Sequence, residues 1–219
     1  MRLVGMLDSP YVRRVAISLQ LLGLPFEHRP LSVFRTFEEF RTINPVVKAP
    51  TLVCDDGMVL MDSGLILDYA QALAQRSLLP ADLAQRAAEL RATGLALAAC
   101  EKSVQIIYER TLRPPHKQHE PWVSRITGQM LAAFTDLETD FTRRPPAAGG
   151  VAMTQAGVAA AVTWFFTQQM LPQLVPPARF PMLAQFSASA EATAAFRCAP
   201  HGDGTALPAL RLAAVFAGE

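Results

Sequence analysis

The chain has 219 residues, enough for one large domain or two modest ones, and 51% of them are hydrophobic, so sizeable cores can form and an ordered globular protein is expected. Twenty Lys and Arg against nineteen Asp and Glu leave a formal charge of +1, which gives no overall field to attract nucleic acid, anionic lipid or an acidic substrate. Three widely separated cysteines, Cys54, Cys100 and Cys198, odd in number and in no C-x-x-C pair, argue against a disulfide framework or a zinc site and fit a reducing, cytoplasmic compartment.

The chain opens without an apolar stretch followed by a small-residue cleavage site, and Asp8 lies close to the start, so no signal peptide is read. Arg2 to Leu7 reads as a short strand, after which Ser9 can cap a helix and Pro10 suits its first position. From Val12 the apolar Val15, Ala16, Leu19 and Leu22 recur at helical spacing, and Gly23 follows where a left-handed cap is wanted. Pro25 to Leu31 is a second strand, and Phe34 to Ile43 a loop with a short helix, broken by Asn44-Pro45. Thr51 to Cys54 and Met58 to Met61 form a hairpin around Asp55-Asp56-Gly57, and Asp62-Ser63 opens a further helix. The first part is therefore β-α-β followed by β-β-α.

Beyond Pro80 strand signals vanish, and helices are predicted over 82–111, 121–143, 154–171, 181–196 and 207–217. The most apolar stretch, Val151 to Leu171, carries Thr154, Gln155, Thr163, Thr167, Gln168 and Gln169, too many polar groups for a membrane span, and reads as a buried core helix. The expected organisation is an α/β thioredoxin-like domain over 1–76 and an all-helical bundle over 82–219.

This layout resembles the soluble glutathione transferases, and four local sequences carry the resemblance. Ser9-Pro10-Tyr11-Val12-Arg13-Arg14 after Leu3-Val4-Gly5 is similar to the catalytic turn of bacterial branches that use serine. Asn44-Pro45-Val46-Val47-Lys48-Ala49-Pro50-Thr51-Leu52 resembles the family's Asn-Pro-x-Gly-Lys-Val-Pro-x-Leu, whose last proline is cis. Asp62-Ser63 matches the acidic-Ser pair at a helix start, and Met153-Thr154-Gln155-Ala156-Gly157 the capping box of the buried C-terminal helix. Phe180-Pro181 to Pro200 is similar to the bacterial closing helix and tail.

The resemblance implies an enzyme that takes glutathione as co-substrate, needs no metal, and passes the thiolate to a small hydrophobic electrophile. Ser9 is implied as the donor that stabilises the thiolate, with Tyr11 as the alternative; Lys48, Ala49, Asp62 and Ser63 would hold the peptide, and Tyr11, Phe34 and Tyr108 line the co-substrate pocket, with Arg110 and Trp122 as further candidates. A homodimer is implied as well. The chemistry is coherent, because a free thiol has a pKa of about 8.5 and a hydroxyl donor at a helix N-terminus favours its anion.

Two positions depart from the pattern. Val47 stands where glycine is usual, so a positive φ there would be costly and the turn before Lys48 is expected to be reshaped. Gly157 replaces the usual Asp and cannot reach back to the cap, which predicts a weaker helix start. These departures keep open a non-catalytic protein of the same fold, serving interaction or ligand carriage; a glutathione-dependent isomerase ranks last, because the catalytic turn reads Asp8-Ser9-Pro10 and not Ser-Ser-Cys. Arg13-Arg14 reads as a solvated pair without a partner, and His116 and His119 as part of a solvated loop with too few ligands for a metal.

Overall fold

A computed structural model describes residues 1–207. They form two compact units, residues 1–78 together with the tail 191–207, and residues 79–190. The first unit follows the expected order: β1 (Arg2–Val4), α1 (Pro10–Leu21), β2 (Glu27–Arg29), α2 (Phe37–Ile43), β3 (Thr51–Val53), β4 (Val59–Met61) and α3 (Ser63–Leu73). The four strands lie in the order β2-β1-β3-β4, with β1 parallel to β2 and the other pairs antiparallel. Gly57, at φ +88°, makes the β3–β4 turn, a conformation glycine adopts without steric cost.

Ten of the twelve residues of α1 are buried, and α1 packs beside α3. Val4, Leu31 and Phe40 form a separate buried cluster, joined by Val33, Ile43, Val47, Ala49 and Val53. β1 is shorter than predicted because Gly5, at φ +140°, leaves the strand; a Cβ there would lie 2.6 Å from Val12 Cγ2 and 3.1 Å from Ala49 Cβ. Glycine thus lets the turn before α1 and the segment before β3 approach each other.

The second unit contains α4 (Leu83–Thr111), α5 (Glu120–Arg143), α6 (Gln155–Met170) and most of α7 (Pro181–Glu191). Twelve of the sixteen residues of α6 are buried, in keeping with the predicted core helix. Its polar side chains are absorbed by neighbouring helices: Thr163 Oγ1 donates to Ala96 O at 3.3 Å, and Thr167 Oγ1 lies 2.9 Å from Ser103 Oγ. Thr154 Oγ1 caps the helix by accepting from Gly157 N at 3.2 Å. A Cβ at Gly157 would stand 2.7 Å from Met153 Sδ and 3.3 Å from the Phe186 ring, so this glycine makes room for packing over the first turn. Phe134, Trp164 and Phe180 meet with ring centroids 5.6–5.9 Å apart. Among the described residues no helix is long and apolar enough to cross a membrane.

The helix predicted over 181–196 is interrupted. Thr193 is extended, and a short α8 (Ala194–Arg197) follows. The sequence reading placed the whole closing segment with the bundle, whereas residues 191–207 pack with the first unit. Arg13 explains much of this: it is buried, its Nη1 and Nη2 donate to the two Glu191 carboxylate oxygens at 2.6 Å each, its Nε donates to Ala199 O at 2.8 Å, and its guanidinium lies over the Phe196 ring. The Arg13-Arg14 pair is therefore interior and partnered, contrary to the solvated face read from the sequence. The helix predicted over 207–217 lies, apart from Leu207, outside the described residues.

His28 joins the same tail to the turn before α1. Ala206 N–H donates to His28 Nδ1 at 3.0 Å, which leaves the ring proton on Nε2 to donate to Gly5 O at 2.8 Å. Burial lowers the His28 pKa, only partly opposed by the bond to Gly5, and burial also lowers that of His201. Unfolded histidines then bind protons that the folded ones resist, so stability is expected to fall as pH drops below the ordinary value near 6.5, until the folded pKa values are passed. Urea unfolding at pH 7.5 and pH 5 checks this: His28→Gln should show a smaller acid loss than the wild type, and an equal loss would contradict it.

Candidate functional site

The sheet register brings the predicted glutathione-site segments to one end of the first unit. Val4, the last residue of β1, pairs with Thr51, the first of β3, which pairs in turn with Met61, the last of β4. Ser9 follows β1, Lys48 and Ala49 precede β3, and Asp62 and Ser63 follow β4, so all five lie beyond the same end of the strands.

Ser9 is half-buried and caps α1, its Oγ accepting from Val12 N at 3.4 Å. A hydroxyl has one donor and two acceptor positions, so the cap uses a lone pair and leaves the proton available to a sulfur placed at the helix N-terminus. Capping and thiolate stabilisation are thus compatible roles for one side chain. The pKa of Asp8, just before it, is raised by desolvation and by Asp203, against the opposing influence of His201, the Ser9 backbone N–H and Arg35. The tail reaches this turn and the loop before α2: the His201 ring is hydrogen-bonded to the Asp8 backbone, and Asp203 forms a two-pronged ion pair with Arg35 at 2.9 and 3.3 Å.

The Ala49–Pro50 peptide bond is cis. Among the described residues neither the N–H nor the C=O of Ala49 has a hydrogen-bond partner, so both are available to an extended peptide laid alongside as an added strand. The preceding turn is laced internally. Buried Asn44 accepts from Val46 N through Oδ1 at 3.0 Å and donates to Thr51 Oγ1 at 2.8 Å, and Thr51 Oγ1 donates to Lys48 O at 2.7 Å.

Val47 corrects the expectation of a reshaped turn, for it adopts φ +51°. Left-handed backbone costs an L-residue about 1–2 kcal/mol, and Val47 recovers part of this by packing its side chain against the Val4, Leu31 and Phe40 cluster. Val47→Gly removes strain and packing together, and glycine adds an unfolded-state entropy cost of about 0.5–1 kcal/mol. The expected change in stability is within about 1 kcal/mol of zero, measured by urea denaturation. A loss above about 2 kcal/mol, the scale of burying a whole valine, would show that the backbone strain is negligible.

Asp62 also has a positive φ, +74°, and its Oδ1 accepts from Gly64 N at 2.8 Å at the start of α3. Partial desolvation raises its pKa, but the Gly64 hydrogen bond and Lys48 outweigh this, so the carboxyl is held below its ordinary value. Lys48 Nζ lies 3.4 Å from Asp62 Oδ2, and both side chains are about half exposed. Ser63 is buried at the first position of α3, and its Oγ accepts from Arg14 Nη1 at 3.1 Å.

Of the residues expected around the co-substrate, Tyr11 is half-buried on the first turn of α1 and Phe34 is 55% exposed in the loop before α2, both in the first unit. Tyr108 is exposed near the end of α4, in the second unit. Arg110 is taken up locally, paired through both terminal nitrogens with Glu120 and donating to Gln118. Cys54 is buried, and a hydrogen bond from Tyr69 to it raises the tyrosine pKa. His116 and His119 are exposed, and among the described residues no group of three His, Cys, Asp or Glu stands together as a metal site. Sequence reasoning missed Gly5, Arg14 and the tail residues 201–206. Gly5 had a detectable signal in its place between strand and helix, whereas the tail contacts join positions nearly two hundred residues apart and leave none.

Comparison with known proteins agrees with this geometry. The family described as "Glutathione S-transferase, N-terminal domain" matches residues 3–77. The chain is 30% identical over 134 residues to glutathione S-transferase Z2 of Arabidopsis thaliana, covering 59% of each, and 30% identical over 138 residues to maleylacetoacetate isomerase of Pseudomonas aeruginosa, covering 58% of this chain and 64% of that one. The chain thus spans about six-tenths of the length of these relatives. In three dimensions it is similar to a glutathione S-transferase of Methylobacterium radiotolerans in complex with glutathione sulfonate, at TM-score 0.81 and 27% identity over 90% of this chain and 92% of that one. A glutathione transferase family member of Pseudomonas fluorescens with bound S-(propanoic acid)-glutathione gives 0.74 and 27%, over 90% and 97%. The chain therefore matches the glutathione S-transferase family in sequence over its thioredoxin-like unit, and shares the fold of these transferases over nine-tenths of its length.

Proposed function

We propose that the protein is a glutathione transferase of the kind with a serine at the catalytic turn. The observation that carries this reading is Ser9 itself, capping α1 through a lone pair while its hydroxyl proton stays free for a sulfur anion. In this reading Ala49 pairs with the cysteinyl backbone of glutathione, Ser63 takes the γ-glutamyl carboxylate through its hydroxyl and its own N–H, Asp62 takes the γ-glutamyl amine, and Lys48 faces the glycyl carboxylate. Asp62, kept ionised and paired with Lys48, suits the amine. The thiol loses its proton to water, and the thiolate attacks an electrophilic carbon of a small hydrophobic substrate. A C–S bond forms as the leaving group departs with the pair of the bond it breaks, or as the π pair of an unsaturated acceptor shifts to its far atom and takes up a proton from water. Tyr11 and Phe34, both in the first unit, are the side chains we assign to the electrophile.

The similarity to a maleylacetoacetate isomerase supports a second reading, in which the same thiolate adds reversibly to an unsaturated substrate and is expelled after bond rotation. We also propose a two-fold homodimer in the cytoplasm, supported by the exposed apolar Met58, Val59 and Met61 at the free sheet edge and Leu65 and Tyr69 on α3, and by three free cysteines. Calorimetric titration with glutathione tests the shared basis of both enzymatic readings. Saturable binding at or below millimolar concentration is expected; absence of binding would overturn both and leave the fold to an interaction role. Product analysis then separates a glutathione conjugate from a rearranged, unconjugated isomer.

A further inference from the structure

We infer that Arg14, buried on α1, is a positioning residue for the γ-glutamyl carboxylate subsite and acts through Ser63. This inference rests on the glutathione reading above and adds to it a cation that no local sequence signal discloses. Arg14 is 4% exposed, and its Nη1 donates to Ser63 Oγ at 3.1 Å, from a helix 49 residues earlier in the chain. Ser63 is equally buried, at the first position of α3.

The geometry has two consequences. Ser63 Oγ carries one proton and two lone pairs. With one lone pair held by the Arg14 guanidinium, the hydroxyl keeps its proton for a further acceptor. The serine is thereby set as a donor, as a carboxylate requires. Arginine also stays charged at all relevant pH values, so a fixed positive charge stands one hydroxyl behind the anion, in a setting where water screens it poorly. The charge-assisted bond polarises the Ser63 hydroxyl and strengthens the bond it donates. Asp62, next in the chain, is already engaged by Gly64 N–H and Lys48. The two halves of the subsite are therefore served separately, the amine by an exposed carboxylate and the carboxylate by an interior cation acting through a hydroxyl.

The test compares binding of glutathione with that of 4-aminobutanoyl-cysteinylglycine, which keeps the amine and lacks the γ-glutamyl carboxylate, by calorimetry on the full-length protein. Wild type is expected to prefer glutathione by tenfold or more. Arg14→Gln should lose most of that preference by weakening glutathione alone, with affinity for the analogue unchanged within about twofold. A merely structural role would weaken both ligands together, and that result, or a preserved preference, overturns the inference while leaving the glutathione reading intact. If wild type binds neither ligand, both fall. Should Arg14→Gln fail to fold, Arg14→Lys keeps the charge but not the reach and fork of the guanidinium, and its preference should drop to an intermediate value; an unchanged preference overturns the inference.

Discussion

Ser9→Ala is expected to lower kcat/KM for conjugation of glutathione by about 10²–10³, the loss typical of one donor that stabilises a developing or bound anion, while the affinity for glutathione changes far less. The reason is the division of labour in the proposed binding mode, in which Lys48, Ala49, Asp62 and Ser63 would hold the peptide and Ser9 only the sulfur. Without its hydroxyl the bound thiol should titrate nearer the ordinary value of about 8.5, so the residual activity should climb with pH through a region where wild type is already flat. Ser9 also caps α1, and Ser→Ala at an N-cap costs about 1 kcal/mol, whereas Ser→Gly costs only a few tenths. Ser9→Gly therefore separates the two roles. It should be nearly as stable as wild type yet as poor a catalyst as Ser9→Ala; steady-state kinetics and urea denaturation on the three proteins decide this, and an active Ser9→Gly would assign the donor to Tyr11 or the backbone.

The largest effect on stability is expected at Arg13. Arg13→Met removes two hydrogen bonds to Glu191, one to Ala199 O and the stacking over Phe196, and leaves the Glu191 carboxylate, itself about one-fifth exposed, without its cation. Breaking a fully buried pair from one side costs about 3–5 kcal/mol; the residual hydration of Glu191 points to the lower end, about 3 kcal/mol. Replacing both partners, Arg13→Met with Glu191→Met, should recover most of the loss, because the cost lies in the stranded charge. Urea denaturation of the two single variants and the double variant measures this. A loss under about 1 kcal/mol in Arg13→Met, the range of surface ion pairs, would show that the pair contributes no more than an exposed one.

The elements of the first unit could be read from its sequence because each has a local cause: Ser9-Pro10 opens a helix, Gly57 turns a hairpin, and Asp62 caps α3. The placement of the five residues proposed for glutathione follows from the same strand and helix ends, whereas their roles come from the resemblance to glutathione transferases and not from local chemistry. What could not be read depends on contacts between distant segments. Arg13 and Arg14, adjacent and identical in type, look like a solvated pair until packing places one against Glu191 and the other against Ser63. Val47 was expected to reshape its turn and instead takes φ +51°, packed against Phe40 and its neighbours, a tertiary contact that the local sequence does not disclose. Gly157 was read as a missing side chain in a capping box; the structure gives it a positive role, as space for Met153 and Phe186.

The site is proposed to bind glutathione and to lower the pKa of its thiol through Ser9. The most direct test is the ultraviolet absorbance of the thiolate in glutathione bound to wild type and to Ser9→Gly, followed against pH. The expected result is a wild-type midpoint clearly below the ordinary thiol value of about 8.5, with the Ser9→Gly midpoint moved back toward it. A wild-type midpoint at the free-thiol value, or identical midpoints in the two proteins, would contradict the claim.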